Sequence, residues 1–366
     1  METRFAHGEN SQLEHINRND FFERFFGFTE SVKSVKENVA VSKEGDTIHM
    51  ECPAGIYQVG ELSIKSISDL KEIVDAIEPS EENGTISILM GNGVDTKNFE
   101  EIDVGGQQGQ VSNKGATFQV ASNFNALEFV SPNDNASMGI TRYVWDRTQG
   151  PAASISCAPS TLYRNYFHEH DGHVGQLDTE INLLDDYNIP VQHGYVVLNR
   201  RNVDEKMQLR NNWQTIKVGC QRDTQVVTGL DSRGLLRVIP ITQEQVVNQI
   251  FCASVNMNIM PVSWRKNPVL PLVRDLLMAA YHGAVYNAII NKHRNPDLPG
   301  SHKLFLTLVG GGVFSNPLKE IIGAIKEVKP LILKYGIEAK IVLFSGPMNK
   351  AVAIQRELGC EIEIIE

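Results

Sequence analysis

Hydrophobic periodicity is clearest in the last third of the chain. Pro268 to Ile290 sets Leu272, Leu276, Leu277, Ala280 and Ala284 on one side of a long predicted helix. The pattern then alternates: strand Lys303 to Val309, helix Pro317 to Val328, strand Ala339 to Phe344, helix Asn349 to Leu358. Strands and helices alternating through short connections imply a parallel sheet with right-handed crossovers.

Earlier segments are patterned less regularly. The first twelve or so residues are polar and expected to fray. Asn19-Asp20 precedes Phe21, Phe22, Phe25 and Phe26, one apolar helix stripe behind an Asn or Asp cap. Residues 46–65 alternate as short strands around Cys52-Pro53-Ala54-Gly55. Ser66 to Ile77 predicts a helix capped by Ser66 or Ser68, with Leu70, Ile73, Val74 and Ile77 inward. Thr85 to Met90 is a strand ending at Gly91-Asn92-Gly93, and the glycine-rich 103–115 reads as a loop. Ala116 to Ser122 is a second strand, running into Asn123-Phe124-Asn125. Residues 131–150 are loop-rich, 151–158 are small and buried, and Tyr195–Leu198 and Gln225–Val227 are β pieces. The fold class expected is α/β, with one central mixed, largely parallel sheet that includes 85–90, 116–122, 303–309 and 339–344.

Composition narrows the function. The 366 residues are 42% hydrophobic and 21% charged, enough for a full core. Lys plus Arg is 34 against 44 acids, a formal charge of -10, so nucleic acid and anionic membrane are poor partners. Any phosphate is expected on backbone N–H groups. No apolar run approaches the roughly 18 residues of a membrane span, and the start lacks the apolar core of a secretory signal. Cys52, Cys157, Cys220, Cys252 and Cys360 show no C-x-x-C spacing, which supports neither a disulfide framework nor a zinc ribbon. A reducing, intracellular compartment is the expectation.

Four stretches are candidates for chemistry. Leu306 to Pro317 carries Gly310-Gly311-Gly312-Val313-Phe314-Ser315-Asn316 after a strand, with Asn316 expected to cap a helix and Pro317 to sit at N1. Such a turn aims N–H groups at a phosphate or diphosphate, or serves only tight packing. It is neither a Walker A loop nor G-x-G-x-x-G. Gln119 to Glu128 ends a strand in Ser122-Asn123-Phe124-Asn125, short polar groups suited to ribose hydroxyls or to an Asx turn. Gly175 to Asp186, if helical, aligns Asp178, Asn182 and Asp185 or Asp186 as convergent or merely solvated acids. His168-Glu169-His170-Asp171-Gly172-His173 departs from H-E-x-x-H, and a polar loop is expected rather than a metal site. Cys157 and Cys252 have no nearby histidine to activate them.

Together these stretches resemble the macrodomain family, the ADP-ribose-binding α/β fold. Gly310 to Pro317 resembles its second phosphate loop, and Ala279-Ala280-Tyr281 the helix leading into it. A divergent, MavL-like branch of arginine ADP-ribosyl hydrolases is closer, and poly(ADP-ribose) glycohydrolase more distant. The branch resemblance rests on 119–128, Asp146-Arg147-Thr148-Gln149-Gly150-Pro151, Tyr163-Arg164-Asn165-Tyr166-Phe167, Gly175-Gln176 to Ile181-Asn182, and the triple-glycine loop. Two departures stand out: Ala126-Leu127-Glu128 replaces a glycine triplet, and Leu177-Asp178 follows Gln176 where the glycohydrolase has two glutamates.

The resemblance implies a three-layer macrodomain-like fold over residues 61–366, with 1–60 an N-terminal extension packed on it. It implies ADP-ribose as ligand or product, an ADP-ribosylated protein as partner, and no metal or other cofactor. Asn123, Asn125, Gln176, Gly310, Gly311, Gly312, Val313, Phe314 and Asn316 are the expected binding residues, and Asp178, Asp185 and Glu128 the expected acids. Arginine-linked ADP-ribose is the favoured substrate. The alternatives are a non-catalytic reader of the modification and a phosphatase on a free ADP-ribose derivative. Cytoplasm or nucleus is the expected location.

Overall fold

The computed structural model describes residues 14–92, 97–201, 203–266, 268–344 and 346–365. The expectations for the first twelve residues and for Gly93 lie outside these. Strands β1 (Ala40–Glu44), β2 (Thr47–Cys52), β3 (Gly55–Ser66), β4 (Thr85–Gly91) and β5 (Thr117–Ala121) belong to one sheet with β6 (Lys217–Gln225), β7 (Val246–Cys252), β8 (Lys303–Leu306), β9 (Glu338–Leu343) and β10 (Glu361–Ile365). Their spatial order is β1-β2-β3-β6-β7-β5-β8-β9-β4-β10. The half from β7 to β10 is parallel, and the half from β1 to β7 is antiparallel. The mixed α/β sheet expected from the pattern is therefore present.

Side chains alternate across this sheet with period two. Ile250, Cys252, Leu304, Leu306, Ala339, Ile341, Ile86 and Ile88 join one buried cluster, whereas Phe118, Val120, Val247, Phe251 and Phe305 join another. Helices cover both faces: α1 (Phe21–Phe26), α2 (Ile67–Asp75), α3 (Val104–Gln108), α4 (Gln149–Ser156), α5 (Ala158–Tyr166), α6 (Val269–Arg294), α7 (Leu318–Lys334) and α8 (Met348–Leu358). The first cluster takes α2, α6, α7 and α8; the second takes Val104 of α3 and Ala153 of α4. The four phenylalanines of α1 are buried with Tyr57, Val59 and Leu62 of β3 and with Leu162 of α5. Helices, sheet and helices make three layers. Residue 60 lies within β3, where Gly60 has φ +78° and a Cβ would stand 1.8 Å from the Arg222 carbonyl.

Several local expectations change. Residues 103–115 contain α3, started by Asp103, whose carboxylate accepts from Gly105 N at 2.8 Å. Gly106 is needed there for contact rather than for a loop, since a Cβ would lie 2.5 Å from Glu100 Cα. Ile73 is 38% exposed, so the inner face of α2 is Ile67, Leu70 and Val74. Helix α7 begins at Leu318 and runs to Lys334, with Pro317 in the cap position. The 178–186 stretch is not an α-helix; a 3-10 turn at Asp185–Tyr187 is its one regular element. Two of its backbone N–H groups go to side chains, Ile181 N to Gln176 Oε1 and Leu184 N to Asn182 Oδ1, both at 3.0 Å, and Leu183 N goes to Phe124 O at 2.9 Å. No helix among the described residues is long and apolar enough to cross a membrane.

Ser66 starts α2 with a reciprocal cap: its hydroxyl accepts from Asp69 N at 3.1 Å, and Asp69 accepts from Ser66 N at 3.2 Å. Ser66→Ala is expected to lower stability by about 1 kcal/mol. A urea unfolding midpoint equal to the parent's would contradict this.

Candidate active site

A cavity of about 600 Å3 lies at the carboxyl ends of β5, β7, β8 and β9, the edge at which open parallel sheets take ligands. Ser122, Asn123 and Glu128 form one wall, Asp146 to Pro151 a second, and Thr307 to Phe314 a third. Phe118 and Phe305 lie at its base, stacked with centroids 4.5 Å apart. Ile102, Val104, Val342 and Phe344 make its apolar end. Asn123 and Gly311 therefore share one cavity, as the two polar strand ends predicted.

The glycine loop is held from beneath. Gly311 N donates to Leu308 O at 2.8 Å, Asn316 N to Gly310 O at 2.9 Å and Ser315 N to Gly312 O at 3.0 Å. Gly310 has φ +70°, and a Cβ there would lie 2.7 Å from the Asn316 amide. Gly312 faces open space. Among the described residues, the N–H groups of Gly312, Val313 and Phe314 donate to no protein acceptor. Consecutive free N–H groups on a glycine turn form an anion-binding concavity.

Asn316 does not cap α7. Its amide donates to Val255 O at 2.8 Å, and its oxygen accepts from Ser254 Oγ at 2.6 Å. It is buried under the loop and ties it to the end of β7.

Glu128 reaches the cavity through a turn that leaves β5. Asn123 N donates to Leu127 O at 2.9 Å, Ala126 N to Asn123 O at 3.0 Å, and Ala126 adopts φ +57°. Glu128 N donates to Tyr143 Oη at 3.0 Å, and Ser154 Oγ donates to Glu128 Oε1 at 3.3 Å. Glu128 is only 6% exposed. Burial holds its carboxyl well above the usual range, with the Arg164 charge pulling the other way. It is thus a buried carboxyl on a cavity wall, where desolvation favours its protonated form.

The adjoining wall is docked by Gln149, which accepts from Ala121 N at 2.9 Å and donates to Gln119 O at 2.8 Å, as a neighbouring strand would. Gly150 is required beside it, because a Cβ would lie 2.1 Å from Ala121 O and 2.4 Å from Glu128 Oε2.

Other expected site residues stand elsewhere. Asp178 is exposed and outside the cavity. Asp185 is exposed and pairs with Lys217 at 2.9 Å. Neither converges on the ligand space, because the helix that would have aligned them does not form. Asn125 is buried beneath the turn, bonded to Glu180 at 3.1 Å and accepting from Leu127 N at 3.2 Å. Gln176 is buried between Arg164 O and Ile181 N. Both brace the wall from behind. Val313 and Phe314 do line the cavity. His168 is buried and pushed down to about 4 by desolvation, while His170 and His173 pair across a two-stranded ribbon. Burial pushes the Cys157 and Cys252 thiols up to about 12, which disqualifies both as nucleophiles at neutral pH.

Sequence reasoning missed the supports of Glu128: Tyr143, Ser154 and the fully buried Arg164. The available signal was a lone arginine inside an aromatic segment, Tyr163-Arg164-Asn165-Tyr166-Phe167.

No family model and no curated protein matches this chain. Among solved structures it is similar to poly(ADP-ribose) glycohydrolase from Deinococcus radiodurans in complex with ADP-ribose, at 13% identity and TM-score 0.41, over 81% of this chain and 94% of that one. It is also similar to poly(ADP-ribose) glycohydrolase from Thermomonospora curvata, at 10% identity and TM-score 0.43, over 93% of this chain and 98% of that one.

The buried acid has a thermodynamic consequence. An unfolded glutamate ionises near about 4.3. Above that pH the native state keeps a proton that the unfolded state has lost, so stability falls as pH rises toward the raised value, by at most about 1.4 kcal/mol per pH unit. Glu128→Gln removes this slope and gains stability relative to the parent as pH rises. Denaturant melts between about pH 4 and pH 8 test it; a difference independent of pH would contradict it.

Proposed function

We propose that this cavity binds ADP-ribose and that the protein hydrolyses the glycosidic bond of ADP-ribosylated protein, with arginine linkage favoured. The observation that supports this most directly is a buried Glu128 carboxyl in the same cavity as the free N–H groups of 312–314, with desolvation favouring its protonated form. The loop suits a diphosphate without a cationic patch, in keeping with the chain's charge of -10. The apolar end, with Phe344 and Val342, suits a purine ring. Asn123, on the same wall as Glu128, suits ribose hydroxyls.

In the proposed reaction Glu128 donates its proton to the leaving nitrogen as the bond from the anomeric carbon breaks. The electron pair departs with that nitrogen, and the ribose gains oxocarbenium character. Water adds at the anomeric carbon and returns a proton to the Glu128 carboxylate. Asp146, on the adjoining wall, adds negative potential that favours a departing guanidinium. Asp178 and Asp185 have no part in this scheme.

Two measurements test the reading. Gly312→Leu keeps the fold, since its Cβ meets nothing within 4 Å, and is expected to weaken ADP-ribose binding at least about tenfold by calorimetry. Unchanged affinity would remove the loop assignment. Glu128→Gln is expected to lower turnover of arginine-linked ADP-ribose by about 100-fold or more with ADP-ribose affinity kept, while Asp178→Asn and Asp185→Asn behave like the parent. A parent that binds ADP-ribose and cleaves nothing is a reader instead.

A further inference from the structure

Arg164 is a fully buried arginine without an ion pair. It sits on α5 at 0% exposure, and no carboxylate among the described residues lies within ion-pair distance of it. Its Nε donates to Ala126 O at 3.1 Å, its Nη2 to Thr161 Oγ1 at 3.2 Å, and its guanidinium lies 3.9 Å over the Phe251 ring. The remaining nitrogen, Nη1, is buried with no partner. Burying a cation this way is costly, and two hydrogen bonds and one ring do not account for it. Desolvation accordingly pushes Arg164 down to about 10, and an ionised Glu128 is the largest influence the other way.

Two features tie this cation to the site. Ala126, whose carbonyl Arg164 holds, is the residue at φ +57° in the turn that delivers Glu128. A non-glycine residue there costs roughly 1–2 kcal/mol, so the turn needs an external anchor. Facing Glu128 from the surrounding elements are Asp146, Tyr143, Tyr195, Cys252 and Arg164, and of these only Arg164 is cationic.

We propose that Arg164 is a positioning residue for Glu128: it clamps the turn that aims the carboxyl into the cavity, and its unpaired guanidinium edge supplies the positive charge that stabilises the carboxylate once the proton has gone. The turnover half of this inference rests on Glu128 being the acid; the electrostatic half does not. No salt bridge joins Arg164 and Glu128 at rest; the guanidinium acts on the carboxylate as a nearby charge once the proton has gone. An ion pair at rest would leave Glu128 ionised and unable to donate.

The test is a carboxyl titration by NMR with 13C-labelled glutamate, the Glu128 signal being assigned by its loss in Glu128→Gln. Arg164→Gln removes the charge and is expected to raise the Glu128 midpoint by at least about one pH unit, tenfold in acid constant. Arg164→Lys keeps the charge but not the fork that holds Ala126. Its midpoint should stay within about half a unit of the parent's, while turnover falls at least about tenfold and ADP-ribose affinity holds. An unchanged midpoint in a folded Arg164→Gln overturns the proposal, as does parental turnover in Arg164→Lys. If the glutamine variant does not fold, the lysine variant decides. If the parent shows no turnover, the hydrolase reading fails, and the titration alone judges Arg164.

Discussion

A carboxyl group withdrawn from water resists ionisation, and the wall around Glu128 is arranged about that resistance. Its backbone N–H is held by the Tyr143 hydroxyl, one oxygen takes a hydroxyl from Ser154, and Gly150 has no side chain to crowd the other. Asp178, by contrast, is exposed and lies outside the cavity. Glu128 combines full burial with a place on the cavity; Asp134 and Asp231 are as buried but lie outside it, and Asp103 lines it only half-buried. The surrounding elements keep Glu128 buried while leaving it on a cavity.

That arrangement draws in the N-terminal segment. Glu30 accepts from Ile140 N at 2.8 Å, from Thr141 N at 2.7 Å, from the Thr141 hydroxyl at 2.6 Å and from the Tyr166 hydroxyl at 3.1 Å. These bonds fix both ends of the wall: the 3-10 turn carrying Tyr143 on one side and the end of α5, which carries Arg164, on the other. Phe21, Phe22, Phe25 and Phe26 then anchor the segment in the same apolar cluster as Tyr143 and Leu162. Residues before β3 thus belong to the support of the cavity as much as to the sheet.

The parallel half of the sheet was legible because its strands are short apolar runs separated by amphipathic helices, each reporting its own period. The loop at 310–316 was legible for a related reason: glycines at a strand end have few other uses. The acids were not. Asp178 and Asp185 stood out because they cluster in sequence, whereas the choice among acids depends on burial, which arises from Tyr143, Gly150 and Ser154 packing against a turn some 15 to 26 residues away. Asn125, Gln176 and Asn316 show the same limit. Each is a short polar residue beside a cavity in sequence, and each spends its hydrogen bonds on backbone or on a neighbouring side chain behind the wall.

The two ends of the cavity follow different electrostatic rules, although Arg147 and Lys350 also line it. At the glycine loop, an anion meets the partial charges of oriented N–H groups, which are fixed by the backbone and need no counter-charge. At Glu128 burial favours the neutral carboxyl, and charge arises when the proton moves. The cation that meets it, Arg164, is already desolvated and stacked on Phe251, so no solvent must reorganise around it at that moment. A surface lysine in the same place would hold Glu128 ionised at rest, screened and hydrated, and the acid would be lost. Keeping the cation behind the turn, bonded to Ala126 rather than to the carboxylate, leaves the proton on Glu128 until a leaving group takes it.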